Sequence, residues 1–169
     1  MSNKIFLFGL DNSGKTSIVN AIKKLPNPGV TSPTLKFSIS QIIIDNTEFV
    51  IWDAPGQVIY RENWTSGLGE TKVLCFVVDV LSPERFDDAK AELIRIINEY
   101  ETRTLPVIIC FHKLDIPDAK KNLPTARGKF SPSHFDDRNV QTLETTIFNP
   151  DSILKLKSLF VDIIESSRW

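Results

Sequence analysis

Residues 9 to 16 read Gly-Leu-Asp-Asn-Ser-Gly-Lys-Thr. They follow a short apolar run, Ile5 to Phe8, and precede a segment in which Ile18, Val19, Ile22 and Leu25 recur at helical spacing until Pro26. A GxxxxGK(S/T) octapeptide between a strand and a helix is a loop built to hold phosphate. Its backbone N–H groups face phosphate oxygens and the helix N-terminus adds a positive dipole, while Lys15 reaches the outer phosphates and Thr16 offers a hydroxyl to magnesium. The competing explanation is an ordinary glycine-containing strand-to-helix turn, against which the flanking elements argue.

The rest of the chain extends this strand-loop-helix start. Phe37 to Ile44 and Glu48 to Trp52 read as two strands joined across Asp45-Asn46, after a loop punctuated by Pro26, Pro28, Gly29 and Pro33. Val73 to Val80 is apolar at nearly every position, as in a parallel strand buried on both faces. Ser82-Pro83 then predicts an N-cap, with Phe86, Ala89, Leu93, Ile96, Ile97 and Tyr100 on one helical face. Leu105 to Phe111 is another buried strand. Asp118 to Arg138 is polar and weakly periodic and reads as loop with room for one short helix. Val140 to Thr145 reads as the last strand, and Ile153, Leu156, Leu159, Phe160, Ile163 and Ile164 mark a closing helix. Alternating strands and helices predict an α/β fold with a mostly parallel sheet and ligands beyond the strands' carboxyl ends.

At 169 residues the chain suits one domain, residues 1–169. A formal net charge of -1 provides no electrostatic footprint for nucleic acid, so no nucleic-acid partner is expected. Cys75 and Cys110 sit inside apolar runs and read as small core hydrophobes rather than a disulfide or metal pair. No segment has the length and apolarity of a membrane span, and the N-terminal residues lack a signal-peptide layout, which predicts a cytoplasmic protein. Met1-Ser2-Asn3 lacks the glycine used for myristoylation and Ser166-Ser167-Arg168-Trp169 lacks a cysteine to prenylate, so no lipid anchor is expected.

Two later segments narrow the chemistry. Asp53-Ala54-Pro55-Gly56-Gln57 closes an apolar strand with an acid, a glycine and a glutamine. The carboxylate can reach the magnesium shell, the N–H of Gly56 can sense a terminal phosphate, and Gln57 can orient an attacking water. The plainer alternative is a Pro-Gly turn with a solvated glutamine. His112-Lys113-Leu114-Asp115 directly follows a buried strand. Its aspartate can accept from both N1–H and the 2-amino group of guanine, a pair adenine lacks, while Lys113 can lay its stem along the base. The alternative is a polar strand exit with a solvated ion pair.

Taken in order, GLDNSGKT, Pro33-Thr34, WDxxGQ and HKLD resemble the small GTPases of the Ras superfamily over almost the whole chain. The resemblance implies a P-loop NTPase with a Ras-like G domain and a six-stranded sheet carrying helices on both faces. Within the superfamily, GLDNSGKT, Pro33-Thr34 and Phe76-Val77-Val78-Asp79 followed by Glu84-Arg85-Phe86 are similar to the Arf family. Pro55, the histidine of HKLD and Thr145-Thr146-Ile147-Phe148-Asn149-Pro150-Asp151 are similar to the Rag GTPases of nutrient signalling.

By that resemblance, GTP or GDP is held by Asp11, Asn12, Ser13, Gly14, Lys15, Thr16, Ser17, Thr34, Gly56, His112, Lys113 and Asp115, with Thr145, Thr146 and Ile147 in the place of the backbone guanine contact. Mg2+ is held by Thr16 and Thr34, with Asp53 one shell out. Lys15 and Gln57 are the catalytic pair of a GTP/GDP switch that hydrolyses slowly. Residues of about 30 to 40 and 54 to 70 become the nucleotide-sensitive switches. Exchange factor, activating protein and effectors meet those switches, with Phe37, Trp52, Ile59, Tyr60 and Trp64 as the apolar surface. Phe37 and Trp52 can equally be half-buried sheet residues. The chain departs from the Arf pattern at Lys36, in place of a glycine, and at Gly67, in place of an aromatic. It also shows neither the Arf N-terminal amphipathic helix nor the Rag C-terminal dimerisation domain, so membrane contact is expected through partners, with dimerisation left open. A GTP-binding scaffold that barely hydrolyses and a P-loop enzyme with a second substrate remain as alternatives.

Overall fold

The computed structural model describes residues 2–168. Met1 and Trp169, which carry part of the lipid-anchor expectation, lie outside them. The described chain runs β1 (Asn3–Phe8), α1 (Lys15–Ile22), β2 (Ser38–Ile44), β3 (Thr47–Asp53), a 3-10 segment (Val58–Gly67), β4 (Thr71–Asp79), a 3-10 turn (Pro83–Arg85), α2 (Phe86–Ile97), β5 (Val107–His112), α3 (Pro117–Lys129), a 3-10 turn (Pro132–His134), β6 (Val140–Glu144) and α4 (Pro150–Ser166). The strands form one sheet in the order β2-β3-β1-β4-β5-β6, parallel except for β2 against β3. Asp45 and Asn46 turn that hairpin with φ of 48° and 63°, the doubly left-handed pair that matches strand twist.

Period-two alternation divides the core. Phe6, Phe8, Phe76 and Phe111 face α2 and α3, while Ile5, Leu7, Cys75 and Cys110 face α1 and α4. The two cysteines are free, buried thiols with Sγ atoms 3.8 Å apart, in keeping with packing as hydrophobes. Among the described residues no helix is long and apolar enough to cross a membrane.

Several local expectations need correction. Asp118 to Arg138 contains most of a 13-residue helix, longer than the one short helix expected within a loop. Ala119, Leu123, Ala126 and Phe130 recur on one face and pack on the core, but two alanines contribute little apolar signal, and Pro124 sits on the exposed side. Ser82 does not cap α2; its hydroxyl turns back to Asp79 Oδ2 at 3.4 Å. Tyr100 and Leu25 lie past the ends of their helices and are exposed. Trp64 belongs to no surface: it is fully buried edge-on against Phe8. Phe37 and Trp52 are half-buried with ring centroids 5.4 Å apart. A Cβ at Gly67 would stand 2.5 Å from the Phe37 ring, so that ring occupies the space an aromatic at 67 would need.

Candidate functional site

The carboxyl ends of β1, β3, β5 and β6 bring the sequence-selected segments around one cavity of about 580 Å³. Asp11, Asn12, Gly14, Lys15, Thr16, Ser17, Thr34, Gly56, Gln57, His112, Lys113, Asp115 and Ile147 line it. Ser13, Asp53, Thr145 and Thr146 stand outside the lining, each hydrogen-bonded to a residue in it.

The first loop folds as the octapeptide requires. Gly14 takes φ of 100°, which an L side chain rarely adopts, and an added Cβ would meet the His112 ring at 2.4 Å. Lys15 is buried, with Nζ donating to Leu10 O at 2.8 Å and Ser13 Oγ at 3.3 Å. Burial lowers its pKa to about 8, opposed by the nearby carboxylates of Asp53 and Asp11. Thr16 Oγ1 donates to Asp53 Oδ2 at 2.6 Å and lies 3.0 Å from Thr34 Oγ1. The loop before β2 is thereby drawn onto the start of α1. Burial raises the Asp53 pKa, against the Thr16 hydrogen bond and the Lys15 charge, and Asp53 Oδ1 is buried without a partner among the described residues.

Gly56 needs to be glycine for space. A Cβ there would stand 2.6 Å from Lys15 Nζ and 2.7 Å from both Asp11 N and Leu10 C. The loop after β3 therefore rests directly on the first loop. Gln57 lines the cavity with an amide that makes no hydrogen bond among the described residues.

The far wall comes from β5 and β6. Lys113, at φ 69°, gives its ammonium to Asn12 O at 2.6 Å and Asp79 Oδ2 at 2.8 Å, which leaves the stem along the cavity. Thr146 Oγ1 donates to Asp115 Oδ1 at 2.7 Å and orients that carboxylate. Of Thr145, Thr146 and Ile147, expected at a backbone guanine contact, only Ile147 reaches the lining. The N–H of Thr145 is used by Phe111 O and that of Thr146 by Ser152 Oγ, whereas the N–H of Ile147 has no partner among the described residues. The amides of Thr145 and Thr146 are thus already spent on the fold.

His112 is buried, with Nδ1 2.8 Å from Thr145 Oγ1 and its opposite edge against Gly14. It ties the β6 loop to the first loop and packs behind the cavity wall. Burial, followed by the charge on Lys113, lowers its pKa to about 4, against Asp115 and Asp79. The unfolded histidine binds a proton near pH 6.5 and the folded one only near 4, so this stability is intact above 6.5 and is lost as pH falls towards 4. At pH 5 the loss is about 2 kcal/mol relative to pH 7. Urea unfolding at the two pH values should show it in the wild type, and His112→Asn should remove that component; equal pH dependence would refute the reading.

Sequence reasoning missed Arg61 and Arg85. Both guanidiniums reach Asp11 Oδ1, at 3.3 and 2.5 Å, and hold the first loop from outside the cavity. Nothing in their own segments points either arginine at the first loop, and only tertiary packing buries Arg61.

Two comparisons bear on this arrangement. The family model described as Arf, the ADP-ribosylation factor family, matches residues 1–160. A solved structure of the Arl6 BBS3 small GTPase from Trypanosoma brucei, with bound nucleotide analogue GppNp, is similar with a TM-score of 0.82. That match covers 99% of this chain and 99% of the other at 19% identity, a likeness of fold.

Proposed function

Because the chain belongs to the ADP-ribosylation factor family of small GTPases, we propose that it is a GTP/GDP switch whose two sensing loops close on the terminal phosphate and release after slow hydrolysis. The observation that carries this reading is the convergence of Thr34 and Gly56 on the first loop, one through the 3.0 Å hydroxyl pair and the other through backbone contact. On this reading Asp115 recognises guanine through its carboxylate, the unpartnered N–H of Ile147 donates to the guanine oxygen, and Lys113 flanks the base. Lys15 and the loop N–H groups stabilise charge as water attacks the terminal phosphate in line, with Gln57 orienting that water.

The donor set is all oxygen: Thr16 Oγ1, Thr34 Oγ1 and, behind Thr16, the unpartnered Asp53 Oδ1. It suits Mg2+, a hard cation that neutralises phosphate charge when bound. The unheld Gln57 amide supports slow intrinsic turnover, because ordering that side chain costs entropy that a partner protein can offset. The same feature favours the second reading, a GTP-binding scaffold with an idle Gln57. Single-turnover hydrolysis separates the two: Gln57→Leu should slow it about tenfold with nucleotide affinity retained, and equal rates would leave the scaffold.

On this reading exchange factor, activating protein and effectors engage the switch loops. The protein acts in the cytoplasm and reaches membranes through those partners, in trafficking or, given Pro55, His112 and the Thr145 to Asp151 segment, in nutrient signalling. Mass spectrometry of the nucleotide carried by the purified protein tests the guanine assignment directly; ATP retained as readily as GTP would overturn it.

A further inference from the structure

We propose that Trp64 and Arg61 are positioning residues that aim the backbone N–H groups of Gly56 and Gln57 into the phosphate cavity, and that α2 holds them in place. The inference rests on the switch reading above. A peptide unit is planar, with its N–H opposite its C=O, so gripping one residue's carbonyl directs the next residue's N–H. Trp64 Nε1 donates to Pro55 O at 2.6 Å, which aims the N–H of Gly56. Arg61 Nε donates to Gly56 O at 2.9 Å, which aims the N–H of Gln57. Ala54 spends its N–H on Leu7 O, and Pro55 has none. Gly56 and Gln57 are thus the first donors this loop has to offer, and neither N–H has a partner among the described residues.

Both gripping side chains are buried, so their polar atoms are committed to these contacts. The remaining Arg61 nitrogens reach Asp11 Oδ1 at 3.3 Å and Asp88 Oδ2 on α2 at 3.1 Å. From the same helix Arg95 donates to Arg61 O at 3.1 Å and lies over the Trp64 ring, 5.5 Å from its centroid. Glu92 holds Arg95 at 2.8 Å. A continuous set of contacts therefore runs from the half-exposed surface of α2 to two N–H groups at the cavity. On the switch reading those N–H groups meet the third phosphate and not the first two.

Trp64→Phe removes the indole N–H and keeps an aromatic ring. Its affinity for GppNp should fall about 5- to 10-fold while that for GDP stays within about twofold. Arg95→Ala removes a partly exposed contact two steps from the nucleotide. It should weaken GppNp about two- to threefold, again sparing GDP, and it keeps the test alive if Trp64→Phe fails to fold. Titration with fluorescent GppNp and GDP analogues, alongside thermal unfolding, reads both. Equal weakening of the two nucleotides would overturn the inference in favour of a merely structural role, and unchanged GppNp affinity in both variants would overturn it outright. A wild type that binds neither guanine nucleotide would overturn the switch reading itself, a result distinct from either of these.

Discussion

Lys15→Met should lose affinity for GTP and GDP together, by about 100-fold or more, while the nucleotide-free protein unfolds at the same temperature or higher. The methionine keeps the length and packing of the stem and deletes only the ammonium. Charge-assisted hydrogen bonds to phosphate are each worth roughly 1.5–3 kcal/mol, and two of them multiply to at least that factor. Stability moves the other way because the buried ammonium is costly, as its pKa of about 8 records. The depressed pKa also gives the wild type a pH signature. The protonated form binds phosphate, so nucleotide affinity should weaken as pH rises above about 8, and the methionine variant should lack that dependence. Equilibrium titration at pH 7 and 9 measures both effects. A variant within threefold of wild type would remove Lys15 from the site.

Gly56→Ala should separate the two nucleotides. Its Cβ would strike Asp11 N and Leu10 C, both backbone atoms that cannot turn aside as a side chain can, as well as Lys15 Nζ. The loop after β3 must then lift from the first loop, at an overpacking cost of about 1–3 kcal/mol plus the lost phosphate hydrogen bond. Affinity for GppNp should drop about 10- to 100-fold and single-turnover hydrolysis should fall with it, whereas GDP binding stays within about threefold. Gly69→Ala is the matched control, since a Cβ there meets nothing within 4 Å. Equal losses for GDP and GppNp would mean that Gly56 supports the fold rather than the sensing of a third phosphate.

How much of this was legible in the chain depended on whether the signal was local. The octapeptide of residues 9–16, the Asp53-to-Gln57 run and the HKLD tetrapeptide place their groups on consecutive positions at a strand end. Their geometry follows from backbone connectivity and needs no partner to be guessed. The unbroken apolar run of Val73 to Val80 and the repeating apolar face of α4 were readable for the same reason, as each carries its burial signal in neighbouring positions. The 13-residue α3 was not, because Ala119 and Ala126 bury completely while adding little to an apolar pattern. Nor could sequence show that Thr145 and Thr146 spend their amides on Phe111 and Ser152, leaving Ile147 to face the cavity.

The sequence alone therefore determined that a phosphate loop opens an α/β sheet and that a guanine-type aspartate and a candidate glutamine follow it. Tertiary structure decided which of those groups converge and what holds them there: Thr34 on Thr16, Gly56 on the first loop, His112 buried behind Gly14, and Arg61 and Trp64 gripping the loop after β3. The division has one physical cause. Covalent spacing sets a residue's neighbours within a turn or a strand, whereas close approach, burial and the commitment of each N–H are settled only when distant segments pack.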